Sequence, residues 1–189
     1  KIKSFVLGGH GDSMVAMLGA TIVEGKKIND LVNEGKISKE KLDQIVERTK
    51  KGGAEIVKFL EKGSAFYAPA ASGVEMAECY LKDLKKQLPC AVHLNGEYGT
   101  KDIYAGVPVI IGSKGVEKVI ELDLSTEEKN NFDNSIKAVK ELFDAAIKID
   151  PELNRWDLIK WKFFTNIALF FYFSADNNGI YETKFKNFK

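Results

Sequence analysis

Apolar runs at the start of the chain predict two short strands around a glycine-rich loop. Residues Ser4–Leu7 are rich in strand-forming side chains, and Met14–Val23 reads as a second extended segment that closes at Glu24-Gly25-Lys26. The loop between them carries His10 among glycines. The pattern therefore predicts a histidine that is presented between two strands.

Two later stretches have apolar residues at helical spacing. Ser38 is a good N-cap residue, and Ser38–Glu61 is predicted to form an amphipathic helix, bent at Gly52-Gly53 and stopped by Gly63. A second helix is predicted over Ala70–Lys86, before Pro89 prevents its continuation. The apolar positions that define the two faces are Leu42, Ile45, Val46, Ile56, Val57, Leu60, Val74, Ala77, Tyr80, Leu81 and Leu84.

Three segments rich in β-branched residues follow, and residues typical of turns separate them. The segments are Cys90–Leu94, Ile103–Ile111 and Val116–Leu122, and the turns contain Asn95-Gly96 and Ser113-Lys114-Gly115. Short turns between neighbouring strands are typical of antiparallel pairing. This part of the chain is predicted to form an antiparallel meander.

A further helix is predicted to close the ordered region. It starts at Ser125, has acidic residues in its first turn, and ends before Pro151. Its apolar positions are Phe132, Ile136, Val139, Leu142, Phe143 and Ile147. Long helices packed with an antiparallel meander predict an α+β fold.

The composition changes at about residue 156. Positions 156–189 hold eleven of the twenty aromatic residues in only thirty-four positions. The nearly apolar run Phe163–Phe173 is eleven residues long, whereas a membrane-spanning helix needs about 20. An interfacial or partner-binding helix is one interpretation of this tail. The other is a non-native extension from a frameshift or read-through, because residues with AT-rich codons (Phe, Ile, Lys, Asn and Tyr) supply twenty-one of the thirty-four positions.

Overall composition bounds the classes of function. The chain has 189 residues, 44% of them hydrophobic, which is enough for one globular domain with a sizeable core. Twenty-eight basic and twenty-seven acidic residues give a net charge of +1, so no overall field attracts nucleic acid or an anionic membrane. The basic pairs Lys26-Lys27, Lys50-Lys51 and Lys85-Lys86 are interpreted as solvated faces.

The two cysteines predict neither a disulfide framework nor a metal site. Cys79 and Cys90 are read as free thiols. Cys90 and His93 have a C-x-x-H spacing, but a zinc site needs about four ligands, and Cys79 and His10 are the only other side chains of that kind. We therefore expect no metal.

His10 is the leading candidate for chemistry. Histidine has an unperturbed pKa of about 6.5 and suits reversible proton transfer near neutral pH. Flanking glycines remove side-chain bulk and let a ligand approach the ring. The alternative from the residues alone is a turn histidine, or one whose polar atoms are satisfied within the protein.

The segment VLGGHGDSMV at residues 6–15 resembles the active-site histidine loop of the lactate/malate dehydrogenase family, in its lactate-dehydrogenase-like malate dehydrogenase branch. Further blocks resemble that branch in the same order, and the resemblance covers residues 1 to about 155. These blocks are Ile28–Val32, Gly63–Ser72, Leu88–Gly99 and Tyr104–Gly112. The chain is therefore divided into a catalytic and substrate domain at 1–155 and an aromatic-rich tail at 156–189.

The resemblance implies a role for three positions. His10 would exchange a proton with the hydroxyl of malate or the ketone oxygen of oxaloacetate during hydride transfer to or from NAD. By matched position, Ala65 would line the substrate side and Pro69 the nicotinamide side. The alternative for Ser64–Pro69 is a plain connection between helices. Asp12 is interpreted as a residue that stabilises the loop, because in the family the orienting aspartate comes from the preceding half.

The resemblance also implies what the chain lacks. In the family a Rossmann domain with a glycine-rich turn precedes this region, and no G-x-G-x-x-G is present here. Only Arg48 and Arg155 occur, whereas a dicarboxylate calls for planar, bidentate partners. We expect a carboxy-terminal half that has negligible turnover alone, with NAD bound mainly by the missing half.

Other readings remain open beside this one. Half of a lactate dehydrogenase is the nearest alternative. Gly9, Pro69 and the sequence LPCAVHLNGEYG at residues 88–99 favour malate as the substrate. A non-catalytic interaction module is the alternative from another class. The family implies a cytoplasmic homo-oligomer, and neither nucleic acid nor a membrane is expected as a partner.

Overall fold

A computed structural model describes residues 1–151 and 153, so Arg155 and the predicted tail at 156–189 lie outside the described residues. In these residues, five short strands followed by four helices make up the first half, and a meander and one long helix make up the second. The elements are β1 (Ile2–Lys3), β2 (Val6–Gly8), β3 (Met14–Ala16), β4 (Ile22–Val23), β5 (Lys26–Lys27), α1 (Ile28–Asn33), α2 (Lys39–Lys50), α3 (Gly52–Leu60), α4 (Tyr67–Leu81), β6 (Lys86–Asn95), β7 (Lys101–Gly112), β8 (Gly115–Val119) and α5 (Thr126–Ile149).

Strand β7 organises the larger of the two sheets. It pairs antiparallel with β6 along most of its length and with β8 near its end. Strand β2 joins β7 through the pair Gly8↔Gly106 and carries β3 on its other edge. The predicted meander and the predicted α+β class are confirmed. This sheet fixes the end of β2, where the histidine loop begins.

Helices α4 and α5 cover the sheet with apolar side chains. Phe132 on α5 is fully buried, and Met76 and Cys79 on α4 lie in the same core cluster. The largest fully buried side chains are Phe132, Leu7, Met17, Leu94, Ile111, Val107, Val109, Pro108, Cys79 and Cys90. Burial of such side chains is the main stabilising contribution to a fold of this kind.

The start of α5 follows its sequence signal closely. Ser125 Oγ accepts a hydrogen bond from the Glu128 N–H, and the Glu128 side chain accepts one from the Ser125 N–H, which completes a capping box. Glu128 also accepts a hydrogen bond of 3.0 Å from the N–H of Gly19. The helix is therefore tied to the segment that follows β3.

The predicted helix over residues 38–61 is two helices. Ser38 is the N-cap as predicted, since its Oγ accepts a hydrogen bond from the Lys41 N–H. The break between the two helices falls at Lys51, and α3 begins at the next residue, Gly52. Glu61, with φ +61°, ends α3 two residues before the glycine that the sequence indicated.

The predicted helix over Ala70–Lys86 is displaced toward the amino terminus. It begins at Tyr67 and ends at Leu81. Pro69 is accepted in the first turn, where no intrahelical partner is needed for the missing N–H. Asp83 and Lys85 adopt positive φ after the helix, and Pro89 lies inside β6 rather than before it.

The predicted extended segment Met14–Val23 is also interrupted. Strand β3 ends at Ala16, a turn closes with the Thr21 N–H donating to the Leu18 carbonyl, and β4 contains only Ile22–Val23. The Gly19 N–H lies within that turn and binds Glu128, a contact that no local pattern indicates.

Several apolar positions on the helices remain exposed. Leu42 is buried, whereas Val74 is 63% exposed and Leu142 is 72% exposed. The other large apolar residues exposed on α2, α3, α4 and α5 and the link before α4 are Ile45, Phe59, Leu60, Phe66, Tyr67, Tyr80, Leu81, Phe143 and Ile149. Within residues 1–151 and 153, no helix is long and apolar enough to cross a membrane.

Candidate active site

The glycine-rich loop leaves the large sheet at the end of β2. Gly8 is the last residue of that strand and pairs with Met14. His10 follows with φ −87° and ψ 146°, and precedes a short 3-10 turn over Gly11–Ser13. Gly8 and Gly11 have φ of +90° and +78°, a region that favours glycine. The prediction that His10 lies between two strands is confirmed.

The exposed His10 lines a cavity of about 410 Å³. Small and apolar side chains make up much of the wall, and the helices α2, α3 and α4 supply the side opposite the loop. The lining residues are His10, Gly11, Asp12, Met14, Thr49, Lys50, Lys51, Gly53, Ala54, Val57, Ser64, Ala65, Ala68 and Pro69. A concave site with few polar groups is typical of small-molecule binding.

The three residues assigned by resemblance come together at this cavity. His10 reaches it from the loop, and Ala65 and Pro69 reach it from the α3–α4 junction and the first turn of α4. The junction is held partly by the Phe66 N–H, which donates to Ser64 Oγ at 3.3 Å. The arrangement gives these residues a common ligand-sized space, and their individual roles stay predictions.

Two lysines at the cavity were missed by the sequence interpretation. Lys50 and Lys51, read there as a solvated pair, both line the cavity. The Lys50 side chain is 27% exposed, and its Nζ lies 3.5 Å from a carboxylate oxygen of Glu47. The signal in the sequence is their place directly before Gly52-Gly53, where α2 ends and α3 begins. The two lysines add positive charge to the lining, which Asp12 in the same lining and the Glu47 carboxylate beside Lys50 partly offset.

Arg48 is engaged on the protein surface. Its guanidinium donates two hydrogen bonds, of 2.8 and 3.0 Å, to the two carboxylate oxygens of Glu55. That hydrogen-bonded pair holds the pKa of Glu55 below its usual value. Among the described residues, the cavity lining includes two lysines and no arginine.

Both cysteines are buried thiols. Burial first, and then the nearby Cys79 and Glu75, raises the pKa of the Cys90 thiol to about 12. His93, three residues further along β6, packs edge-on against Tyr104 with ring centroids 5.3 Å apart. In the part of the chain that the structure describes, no group of three or more His, Cys, Asp or Glu residues could hold a metal ion.

The buried thiols lead to a labelling prediction. At pH 8 we expect Cys90 in the folded chain to react with a disulfide reagent at least about 10²-fold more slowly than in the unfolded chain, because only the thiolate is nucleophilic. The pKa of Cys90 rises from 9.0 to about 12 on folding, so the protonated thiol favours the folded chain. The free energy of unfolding keeps this contribution in full below pH 9 and loses it as the pH rises from 9 to about 12. Absorbance of the released thiol, with and without denaturant, measures the rate. Equal rates with and without denaturant would contradict a buried Cys90 thiol with a raised pKa.

Residues 1–149 match the family model described as the lactate/malate dehydrogenase alpha/beta C-terminal domain. A curated malate dehydrogenase from Pelagibacter ubique (strain HTCC1062) is 64% identical over 155 residues, which are 82% of this chain and 48% of that protein. The chain thus spans about half the length of this relative.

Solved structures of malate and lactate dehydrogenases are also similar to this chain. The malate dehydrogenase of Salinibacter ruber is 42% identical with a TM-score of 0.73, over 80% of this chain and 48% of that chain. The malate dehydrogenase of Cryptosporidium parvum is 42% identical with a TM-score of 0.71, over 75% and 45%. The lactate dehydrogenase of Eimeria maxima, solved with NADH and oxamate, is 42% identical with a TM-score of 0.75, over 79% and 47%.

Proposed function

This chain belongs to the lactate/malate dehydrogenase family, and on that premise we propose that it is the carboxy-terminal, catalytic half of an NAD-dependent malate dehydrogenase. The observation that carries the proposal is the cavity in which the loop histidine faces the α3–α4 junction, in a chain 64% identical to a malate dehydrogenase over 155 residues. The domain would comprise residues 1–155, with the aromatic-rich segment 156–189 as a separate tail.

His10 is proposed to move the proton of the reaction. In one direction a ring N–H donates its proton to the ketone oxygen of oxaloacetate, and in the other a ring nitrogen accepts the hydroxyl proton of malate. The flanking glycines leave the ring accessible from the cavity. An orienting carboxylate is needed for such a histidine, and we expect it from the amino-terminal half.

The wall formed by Ala65, Ala68 and Pro69 suits one face of a nicotinamide ring, since it is small, apolar and next to the histidine. The nicotinamide cofactor, when bound, would accept the hydride as NAD⁺ and supply it as NADH. Pro69 would contact the nicotinamide side and Ala65 the substrate side. The sequence has no G-x-G-x-x-G turn for the pyrophosphate, so we expect the amino-terminal half to hold most of the cofactor.

Malate and oxaloacetate are the preferred substrates in this proposal. Lys50 and Lys51 at the cavity support an anionic ligand, and the 64% identical relative is a malate dehydrogenase. The second candidate is the carboxy-terminal half of a lactate dehydrogenase, because the 42% identical Eimeria maxima protein is a lactate dehydrogenase.

Partners are proposed from the exposed apolar helix residues. Phe59, at 77%, and Leu81, at 79%, are far more exposed than core residues, and side chains of this kind support packing against other protein. We propose that the amino-terminal half and a second copy of the enzyme cover them, in a cytoplasmic homo-oligomer that binds neither nucleic acid nor a membrane.

A chimera tests the proposed function. Joining the amino-terminal half of the Pelagibacter ubique malate dehydrogenase to Lys1 is expected to give malate-dependent reduction of NAD, because that half would supply the cofactor-binding fold and the arginines for the substrate carboxylates. The chain alone is expected to give negligible turnover. Absorbance of the reduced cofactor measures both. Turnover by the chain alone would contradict the half-enzyme proposal. A chimera that folds and binds NAD but is inactive would contradict the proposal that this chain is the catalytic half.

A further inference from the structure

The buried hydroxyl of Ser135 lies against the backbone that carries His10. Ser135 belongs to α5 and is 3% exposed. Its Oγ accepts a hydrogen bond of 2.8 Å from the N–H of Gly9, 126 positions earlier in the chain. Since Gly9 directly precedes His10, this bond acts at the base of the loop.

The bond forms where the loop leaves the sheet. Gly8 is the last paired residue of β2, with partners Met14 and Gly106. The N–H of Gly9 lies beyond that last pair and is buried. A buried N–H needs an acceptor, and Ser135 supplies it. The hydroxyl therefore sets the position from which the chain turns toward His10.

The glycines allow α5 to approach this closely. A Cβ placed on Gly8 would lie 2.2 Å from Ser135 Oγ, and one on Gly9 would lie 3.0 Å from Cγ2 of Val139. Ser135 and Val139 are four residues apart and so lie on one face of the helix. That face fits against the backbone just before His10, with no space for a side chain between them.

A second contact from the same helix holds the other end of the hairpin. Glu128, seven residues before Ser135, accepts a hydrogen bond from the Gly19 N–H after β3. Seven residues are two helical turns, so both acceptors lie on the same side of α5. Burial raises the pKa of Glu128, but hydrogen bonds from Gly19 and Ser125 outweigh it and keep that pKa below its usual value. The carboxylate is thus a stable acceptor at neutral pH.

We propose that Ser135 is a positioning residue for His10, which sets the ring at the cavity by holding the Gly9 N–H from α5. The inference rests on the proposed function, because it assigns the serine to the proton-transfer site. Its effect on rate comes from geometry, since small misplacements of a reacting group reduce rates steeply.

The chain offers a direct spectroscopic test. It contains only two histidines, His10 and His93, so their ring signals in an NMR spectrum are few and separable. Ser135→Ala is expected to shift the His10 ring signals and speed hydrogen exchange at the Gly9 N–H. Asn130→Ala, at an exposed residue of the same helix, is the matched control and should leave His10 unchanged, and His93 serves as the internal reference.

The rate is measured in the chimera with the Pelagibacter amino-terminal half. Ser135→Ala is expected to lower kcat for malate oxidation by about tenfold or more, with KM for malate changed less than about twofold, since the serine acts on the proton-transfer step. Asn130→Ala should leave both parameters unchanged. Ser135→Cys, with a weaker acceptor of similar size, should give an intermediate kcat.

Either of two results would overturn the assignment. One is an unchanged His10 spectrum in folded Ser135→Ala, and the other is an equal shift of His10 in Asn130→Ala, which would indicate a general loosening of α5. If Ser135→Ala does not fold, the Ser135→Cys spectrum decides in the same way. An inactive unsubstituted chimera would contradict the proposed function alone, because the His10 signals still report on positioning.

Discussion

Replacing His10 with glutamine in the chimeric enzyme is expected to lower kcat for malate oxidation by about 10³-fold while the fold stays intact. General acid–base catalysis contributes roughly 10²- to 10⁴-fold, and glutamine has no group that can carry the proton at neutral pH. His10 is exposed and lies in a loop, so its replacement removes little packing. Initial rates of NAD reduction, with a thermal melt of each variant, measure the two effects.

His93→Gln is the matched control for that substitution. It changes the only other histidine, which lies on β6 against Tyr104, and it should leave kcat unchanged. Comparable losses of kcat in the two variants, or an active His10→Gln chimera, would remove His10 from the proton-transfer step. A loss in His10→Gln alone would support that role independently of any effect on the sheet.

Features that rest on local chemistry could be predicted from the sequence. The Asn95-Gly96 turn and the Ser125 capping box each depend on residues a few positions apart, and both appear where the sequence indicates them. The histidine loop was equally visible, because glycines and flanking apolar runs are local signals. Break points were less predictable: Pro69 fits the first turn of α4 as well as it would fit a loop.

Features that depend on distant contacts could not be predicted. Lys50 looks like an ordinary surface lysine until the break at Lys51 places it at the cavity. Ser135 is a polar residue within an amphipathic helix, and its partner Gly9 lies 126 positions away. The apolar positions of α5 predicted burial for Leu142, which is 72% exposed, since a pattern shows that a helix has an apolar face but not which contacts cover each residue of it.

Phe132 connects the core to the helix that supports the histidine loop. Its side chain is fully buried on α5. The ring packs against Tyr98 with centroids 5.2 Å apart, and Lys129 Nζ lies 6.0 Å from its centroid. It is three residues before Ser135, on the part of the helix that faces the sheet. Its packing therefore supports both the meander and the approach of α5 to Gly9.

Phe132→Ala is accordingly expected to lower the free energy of unfolding of the chain by about 3–5 kcal/mol, from lost burial and the cavity left behind. Domains are commonly stable by only about 5–15 kcal/mol, so this is a large fraction of the total. Phe143→Ala, on the same helix but at a residue 53% exposed, should cost under about 1 kcal/mol. Urea unfolding followed by circular dichroism measures both. If the two substitutions proved equally costly, α5 would not be anchored through Phe132, and the rigid support of the His10 loop would have to come from another element.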